Sequence, residues 1–314
     1  MRPVIIAHRG ASGHLPEHTL AGKALAYAMG ADYLEQDVVA TRDDKLIVLH
    51  DIHLDRVTDV ARRFPGRARA DGRFYARDFD LAEIETLRVH ERTDAEGNPV
   101  YAGRFQSAGE DFRVPTLECE LQFVAELCAR GGRQVGIYPE IKHPAWHRAE
   151  GVDITVLMLE VLAGFGYTDH GDPIYLQCFD EHELRRIRHE LGSRLKLVQL
   201  IGEDDWSTEL TNFAGMRTQR GMKKLAQTVD AVGPWINRLY RHRRKDGKNS
   251  PSGLVKRAHN VGLAVHPYTF RRDDLPPGFA SFDELIRFCA RDLLVDGLFT
   301  DFPGIVLKLF RRIF

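Results

Sequence analysis

Short runs rich in Val, Ile and Leu recur along the 314-residue chain, and segments with helical spacing separate most of them. That alternation of two hydrophobic periods is the pattern of βα units laid around a parallel sheet. The strand candidates are VIIAH (4–8), DYLEQDVV (32–39), LIVLH (46–50), QVGIYPEI (134–141), PIYLQCF (173–179), LKLVQLI (195–201), DAVGP (230–234), LAVHPYT (263–269) and DGLFTDF (296–302). Between them lie helix candidates such as TLAGKALAYAMG, TLECELQFVAELCARG and FDELIRFCARDL, and several end on the Gly that commonly stops a helix. If LIVLH folds back on the run before it as a hairpin, eight strands remain, the number that closes a (β/α)8 TIM barrel. An open doubly wound sheet is the other arrangement, but no GxGxxG or GxxxxGKS follows any strand.

Residues 52–115 break the rhythm, with Gly-, Arg- and Asp-rich text and one short helix candidate, LAEIETLRV. They read as a small insertion after the hairpin, within a single barrel domain spanning 1–314. Phe74, Tyr75 and Phe105 are expected to cap the barrel mouth and limit access to it. The closing IVLKLFRRIF is read as the last barrel helix rather than a membrane-touching one.

Lys plus Arg number 44 against 45 Asp plus Glu, so no global field draws nucleic acid or an anionic membrane, and any anion site must be local. Cys119, Cys128, Cys178 and Cys289 form neither a CxxC pair nor zinc-ligand spacing and are expected as buried thiols. The opening MRPVIIAHRG lacks an apolar leader, and no 18-residue apolar run follows. The expectation is a cytoplasmic protein without stable membrane insertion, or a periplasmic one if a leader has been removed.

In barrels of this kind chemistry sits where strands meet the loops that follow. Those positions carry His8 and Arg9, Glu35 and Asp37, His50 and Asp51, Glu140 and Lys142, Gln177 and Phe179, His266, and Asp301. Glu35 and Asp37 are two apart on a strand and so share a face, as do Glu140 and Lys142. If that face is the interior, ionised carboxylates converge where solvation is poor and need a cation. Oxygen donors without Cys suit Ca²⁺ or Mg²⁺ better than zinc. The bland reading is plain salt bridges to Arg9 or Lys142. His8 and His50 close apolar runs near these acids and can serve as one general base and one general acid.

The stretch AHRGASGHLPEHTLAGKALAYAMGADYLEQDVVATRDDKLIVLHD resembles the opening of the glycerophosphodiester phosphodiesterase family: HRG, then PE(N/H)T, ExD and HD. VPTLECELQFV, GIYPEIK, YLQCF, VHPYT and GLFTDFP resemble later blocks in the same order, most of all in its bacterial, often periplasmic, branch. The resemblance implies metal-dependent hydrolysis of glycerophosphodiesters, such as glycerophosphocholine or glycerophosphoethanolamine, to glycerol 3-phosphate and an alcohol. It implies His8 and His50 as the acid/base pair, Glu35, Asp37 and Glu140 as metal ligands, and Arg9 and Lys142 as phosphate contacts. Glu17 matches an acid near the substrate glycerol, although it also stands beside the helix-starting Thr19. Gln177, Phe179 and His266 are expected as further substrate contacts, with one departure: many relatives carry Trp near where this chain reads VHPYT.

The reaction so implied is attack of the glycerol 2-hydroxyl on phosphorus, with a cyclic phosphate that water then opens. Two other readings remain at this stage. A barrel isomerase or lyase on a sugar phosphate would use Lys142 for a Schiff base. A non-catalytic phosphoglycerol-binding protein would have lost His8, His50 or a ligand, and none is missing. The expected partner is a small glycerophosphodiester rather than nucleic acid, and a homodimer is compatible with the sequence.

Overall fold

The computed structural model describes residues 2–105, 111–206, 211–242 and 249–314. Eight parallel strands form the main sheet: β1 (Val4–Ala7), β2 (Tyr33–Ala40), β4 (Gly136–Ile141), β5 (Tyr175–Cys178), β6 (Lys196–Ile201), β7 (Ala231–Pro234), β10 (Ala264–Val265) and β11 (Gly297–Thr300). They lie in the order β10-β7-β6-β5-β4-β2-β1-β11, and β3 (Leu46–Val48) pairs antiparallel with β2, so LIVLH is the hairpin return. The two ends meet through Asp296 N–H to Val265 O at 3.0 Å and Phe270 N–H to Phe299 O at 2.8 Å, which closes the TIM barrel. A separate ribbon, β8 (Tyr240–His242) with β9 (Asn249–Pro251), stands outside it.

Alternation along β2 decides what faces the interior. Gln36 points outward, where its Nε2 donates to Glu120 Oε1 at 2.8 Å beside the buried Lys23 ammonium. Glu35 and Asp37 therefore point inward, and the register sets Asp37 beside Glu140 and Glu140 beside Gln177. Below them Ile6, Tyr138, Val198, Ala231 and Phe299 fill the barrel with apolar bulk. That plug closes one end, so the polar layer sits at the mouth.

Residues 52–105 and 111–115 carry only short helices, Val60–Arg63 and Leu81–Ile84, and a 3-10 turn at Ala76–Asp78. They fold around a second core in which Leu54, Val57, Phe74, Phe79 and Leu87 pack with Val39 of β2 and Ile47 of β3, which anchors the insertion to the barrel. The expected aromatic cap is corrected here. Phe74 is buried in that core, Tyr75 stacks on Trp146 at 5.7 Å, and Phe105 packs edge-on to Phe112. Large rings this close to apolar neighbours are stabilised more by burial than by facing an aqueous cleft.

The terminal segment is a barrel helix, Pro303–Ile313, burying Val306, Leu309, Phe310 and Ile313. Cys128, Cys178 and Cys289 are buried as expected, but Cys119 is exposed, because it falls on the solvent side of the amphipathic helix Leu117–Gly131. Among the described residues no helix is long and apolar enough to cross a membrane.

Candidate active site

Glu35, Asp37 and Glu140 each offer an oxygen, and these lie within 4.8 Å of one another in a buried cluster. Each carboxylate is held by its own donors. Arg9 N–H donates to Glu35 Oε2 at 2.7 Å and Gln177 Nε2 to Glu35 Oε1 at 3.0 Å. His18 Nε2 bonds Asp37 Oδ2 at 2.8 Å, and Lys142 Nζ bonds Glu140 Oε1 at 2.7 Å. Arg9 and His18 both adopt left-handed backbone conformations, with φ of 56° and 59°. Such strain concentrates at functional sites.

The cluster carries more negative charge than its neighbours neutralise. Burial and the Asp37 charge push the Glu35 carboxyl well above its ordinary range. Burial drives Glu140 up to about 8, against the opposing pull of Lys142, with Asp37 adding to the rise. Asp37 goes the other way: Lys142, His50 and His18 outweigh burial and hold it ionised. Its buried Oδ1 nevertheless has no hydrogen-bond partner, and Lys142 Nζ stands 3.8 Å away. Three carboxylates with an orphaned oxygen fit a hard divalent cation, whose charge would let all three ionise.

Two histidines flank the cluster. His8 Nδ1 lies 2.7 Å from Asp301 Oδ1, with Nε2 4.0 Å from Glu35 Oε2. His50 Nδ1 lies 2.5 Å from Asp51 Oδ1. Burial and the Arg9 charge lower His8 to about 4, and burial with Arg9 and Lys142 lowers His50 to about 3. Lys142 stays charged because Glu140 and Asp37 overcome its burial. A charged amine clamped to a carboxylate is a poor Schiff-base nucleophile.

The cavity over this cluster, about 200 Å³, is lined by His8, Arg9, Glu35, Asp37, His50, Glu140, Lys142, Gln177 and Phe179. Two lobes open from it. One, also about 200 Å³, is polar and includes Glu17, Arg92, Tyr101 and Arg104. The other, about 370 Å³, is bounded by Phe179, Trp206, Phe213 and Tyr268, and His50 borders it whereas His8 does not. Glu17 is thus placed in the polar lobe, ion-paired to Arg9 at 3.0 Å and Arg92 at 2.7 Å, while Thr19 caps the helix that follows.

His266 is the residue the structure does not bring to the cavity. Its Nδ1 meets the Tyr138 hydroxyl at 2.8 Å and its ring packs edge-on to Tyr175, within the apolar plug. Gly297 leaves the room for it, since a Cβ there would fall 2.8 Å from the His266 ring. Tyr268, Thr269 and Arg271, just after it, reach the cavity instead. His18 escaped the sequence reading although it sits in PEHT beside Glu17. Arg92 and Arg104 carried no signal, being two of many arginines in aperiodic text.

Buried neutral histidines away from the cleft give a test of the interior. His147 Nε2 accepts from Ala40 N–H at 3.1 Å, which a protonated ring could not do, and burial lowers both His147 and His266 to about 4. Between pH ~6.5 and the folded value the unfolded chain binds protons that the native one refuses, so each such group lowers stability as pH falls, by up to about 1.4 kcal/mol per unit. Denaturant unfolding at pH 7, 6 and 5 should show a steeper decline for wild type than for His266→Phe, a comparison in which the opposite contribution of the raised Glu35 and Glu140 carboxyls cancels. The same pH dependence in both proteins would contradict the neutral assignment of His266.

The comparisons with known proteins follow the geometry. The model of the glycerophosphoryl diester phosphodiesterase family matches residues 8–305. The chain belongs to this family. A glycerophosphodiester phosphodiesterase of Haemophilus influenzae is 41% identical over 328 residues, covering 99% of this chain and 90% of that protein. One from Treponema pallidum is 38% identical, covering 97% and 91%. A phosphodiesterase of Oleispira antarctica, solved in complex with the product sn-glycerol-3-phosphate, superposes with a TM-score of 0.64 at 18% identity over 99% of this chain and 97% of that one. As a glycerophosphoryl diester phosphodiesterase family member, the chain is an enzyme, and its barrel is the fold shared with that structure.

Proposed function

We propose that the chain hydrolyses glycerophosphodiesters to glycerol 3-phosphate and an alcohol with one divalent cation, Ca²⁺ or Mg²⁺, held by Glu35, Asp37 and Glu140. The observation that carries this reading is the buried carboxylate trio lying between two imidazoles at one end of the barrel. Relatives named for this activity over nine-tenths of their length support the substrate class. When bound, the cation would neutralise charge and polarise a phosphoryl oxygen.

The chain's own residues do the rest. Arg9 and Lys142 bring positive charge to the phosphate, which one formal negative charge makes resistant to attack. The polar lobe with Glu17 receives the glycerol, and the aromatic lobe receives the departing alcohol. That division assigns the histidines. His8, absent from the aromatic lobe, takes the proton of the glycerol 2-hydroxyl as its oxygen attacks phosphorus. His50, which borders the aromatic lobe, gives a proton to the leaving oxygen. In the second half His50 takes a proton from water, the water oxygen opens the five-membered cyclic phosphate, and His8 returns its proton to the 2-oxygen. His50 is held near 3 by Arg9 and Lys142 as well as by burial, so an arriving phosphate that offsets those charges also favours its protonation.

Release of glycerol 3-phosphate from glycerophosphocholine, measured with and without EDTA and with Ca²⁺ or Mg²⁺ restored, tests the proposal. Activity lost to chelation and recovered on addition is the expected result, and unchanged activity in EDTA contradicts it. Trp206→Ala should raise KM for glycerophosphocholine more than for glycerophosphoglycerol, because an aromatic face favours a quaternary ammonium over a polyol. Equal KM changes would place the alcohol elsewhere.

A further inference from the structure

Each of the two cleft histidines is backed by an aspartate, and each aspartate is gripped by an arginine from the insertion. Asp51 takes His50 Nδ1 on Oδ1 and Arg92 Nη1 on Oδ2, the latter at 2.6 Å. Asp301 takes His8 Nδ1 on Oδ1, and on Oδ2 both Arg104 Nη2 at 2.7 Å and Arg271 Nε at 2.9 Å. Two parts of the chain far apart in sequence thus repeat one chain of contacts: insertion arginine, aspartate, imidazole, cleft.

The physical reasons for the repeat are separable. A carboxylate on Nδ1 fixes the tautomer and presents the bare Nε2 to the reacting atoms. That carboxylate must stay ionised in a place where ionisation is costly, since Asp301 is only 1% exposed. An arginine on the second oxygen keeps it so and sets its angle, because the guanidinium is planar and permanently charged. Arg92 and Arg104 are themselves anchored by second carboxylates. Arg92 makes a two-pronged contact with Glu17 at 2.7 and 2.9 Å, and Arg104 one with Asp273 at 2.8 and 3.0 Å. Segment 92–104 is therefore pinned beside both histidines.

We propose that the insertion completes the catalytic apparatus: Arg92 and Arg104 are positioning residues that act through Asp51 and Asp301 on His50 and His8. This rests on the reading of those histidines as the proton-transfer pair. The insertion is then required for turnover beyond any contact that its residues in the polar lobe make with substrate.

The test compares glycerophosphocholine with glycerol 3-phosphate p-nitrophenyl ester, whose nitrophenoxide departs without a proton. Arg92→Ala and Asp51→Asn should lower kcat on glycerophosphocholine by roughly 10²–10⁴, as loss of a tautomer-fixing carboxylate does elsewhere, and recover most of the loss in single-turnover release of nitrophenoxide, which precedes the water step where His50 is the base. Arg104→Ala and Asp301→Asn should lose kcat on both substrates, because both need the 2-hydroxyl deprotonated. Arg92→Lys and Arg104→Lys, which keep charge and bulk, guard against variants that fail to fold and should retain an intermediate kcat.

Double variants separate positioning from bulk stability. Adding Arg92→Ala to His50→Ala should cost no further kcat, and likewise Arg104→Ala on His8→Ala. If each arginine variant loses the same factor whether or not its histidine is present, or loses none in the wild-type background, the proposal is overturned. Single-turnover nitrophenoxide release that stays as slow in His50→Ala as its cleavage of glycerophosphocholine would instead remove His50 as the acid, and the double variants would still decide the positioning role.

Discussion

Glu35→Gln is expected to lower turnover of glycerophosphocholine on the order of a thousandfold, while the metal-free fold stays as stable as the wild type or becomes more so. The two halves of that expectation have one cause. Glu35 is one of three buried carboxylates, and burial together with the Asp37 charge pushes its carboxyl well above the ordinary range. A neutral amide escapes the cost of ionising there beside Asp37 and at the same time deprives a cation of a ligand. The substitution is also well accommodated. The new amide oxygen can accept from Arg9 N–H, and Gln177 can turn its amide so that Oε1, now without a partner, accepts from the new NH₂. Thermal unfolding in EDTA beside steady-state kinetics checks both halves. A variant that unfolds readily without metal would show that Glu35 serves the fold through its hydrogen bonds instead.

The second large effect concerns the substrate. A glycerophosphocholine analogue lacking the 2-hydroxyl should turn over on the order of 10⁴-fold more slowly or not at all, because internal attack supplies an effective molarity that free water cannot match. The analogue should still bind, since Arg9, Lys142 and the alcohol lobe contact parts it retains. Inhibition without turnover is the expected pattern. Normal hydrolysis of the analogue would mean direct attack by water, with no cyclic phosphate.

How much of this was legible in the sequence depended on periodicity. The eight barrel strands were readable because parallel strands buried on both faces appear as short apolar runs, and Glu35 and Asp37 stood out by interrupting one of them at a spacing of two. The same reasoning misplaced His266. It took the polar residue closing an apolar run as a mouth residue, yet β10 is only two residues long and its chain continues to Tyr268 and Arg271 before reaching the cleft. Strand ends in a staggered barrel lie at different heights, and sequence alone does not give the stagger. The insertion was legible only as an interruption. Its aromatics pack into a core shared with Val39 and Ile47 of the first hairpin, while Arg92 and Arg104 gain their meaning from Asp51 and Asp301, one of them almost 200 residues away in the chain.

The central claim is that Glu35, Asp37 and Glu140 together hold a divalent cation between two imidazoles. The most direct measurement is metal content and binding isotherms for wild type and Glu35→Gln, each stripped with EDTA and equilibrated with Ca²⁺ or Mg²⁺. One ion per wild-type chain, with none retained by Glu35→Gln at the same concentrations, is the predicted result. Equal binding by both proteins, or full turnover by the stripped wild type, would contradict the account.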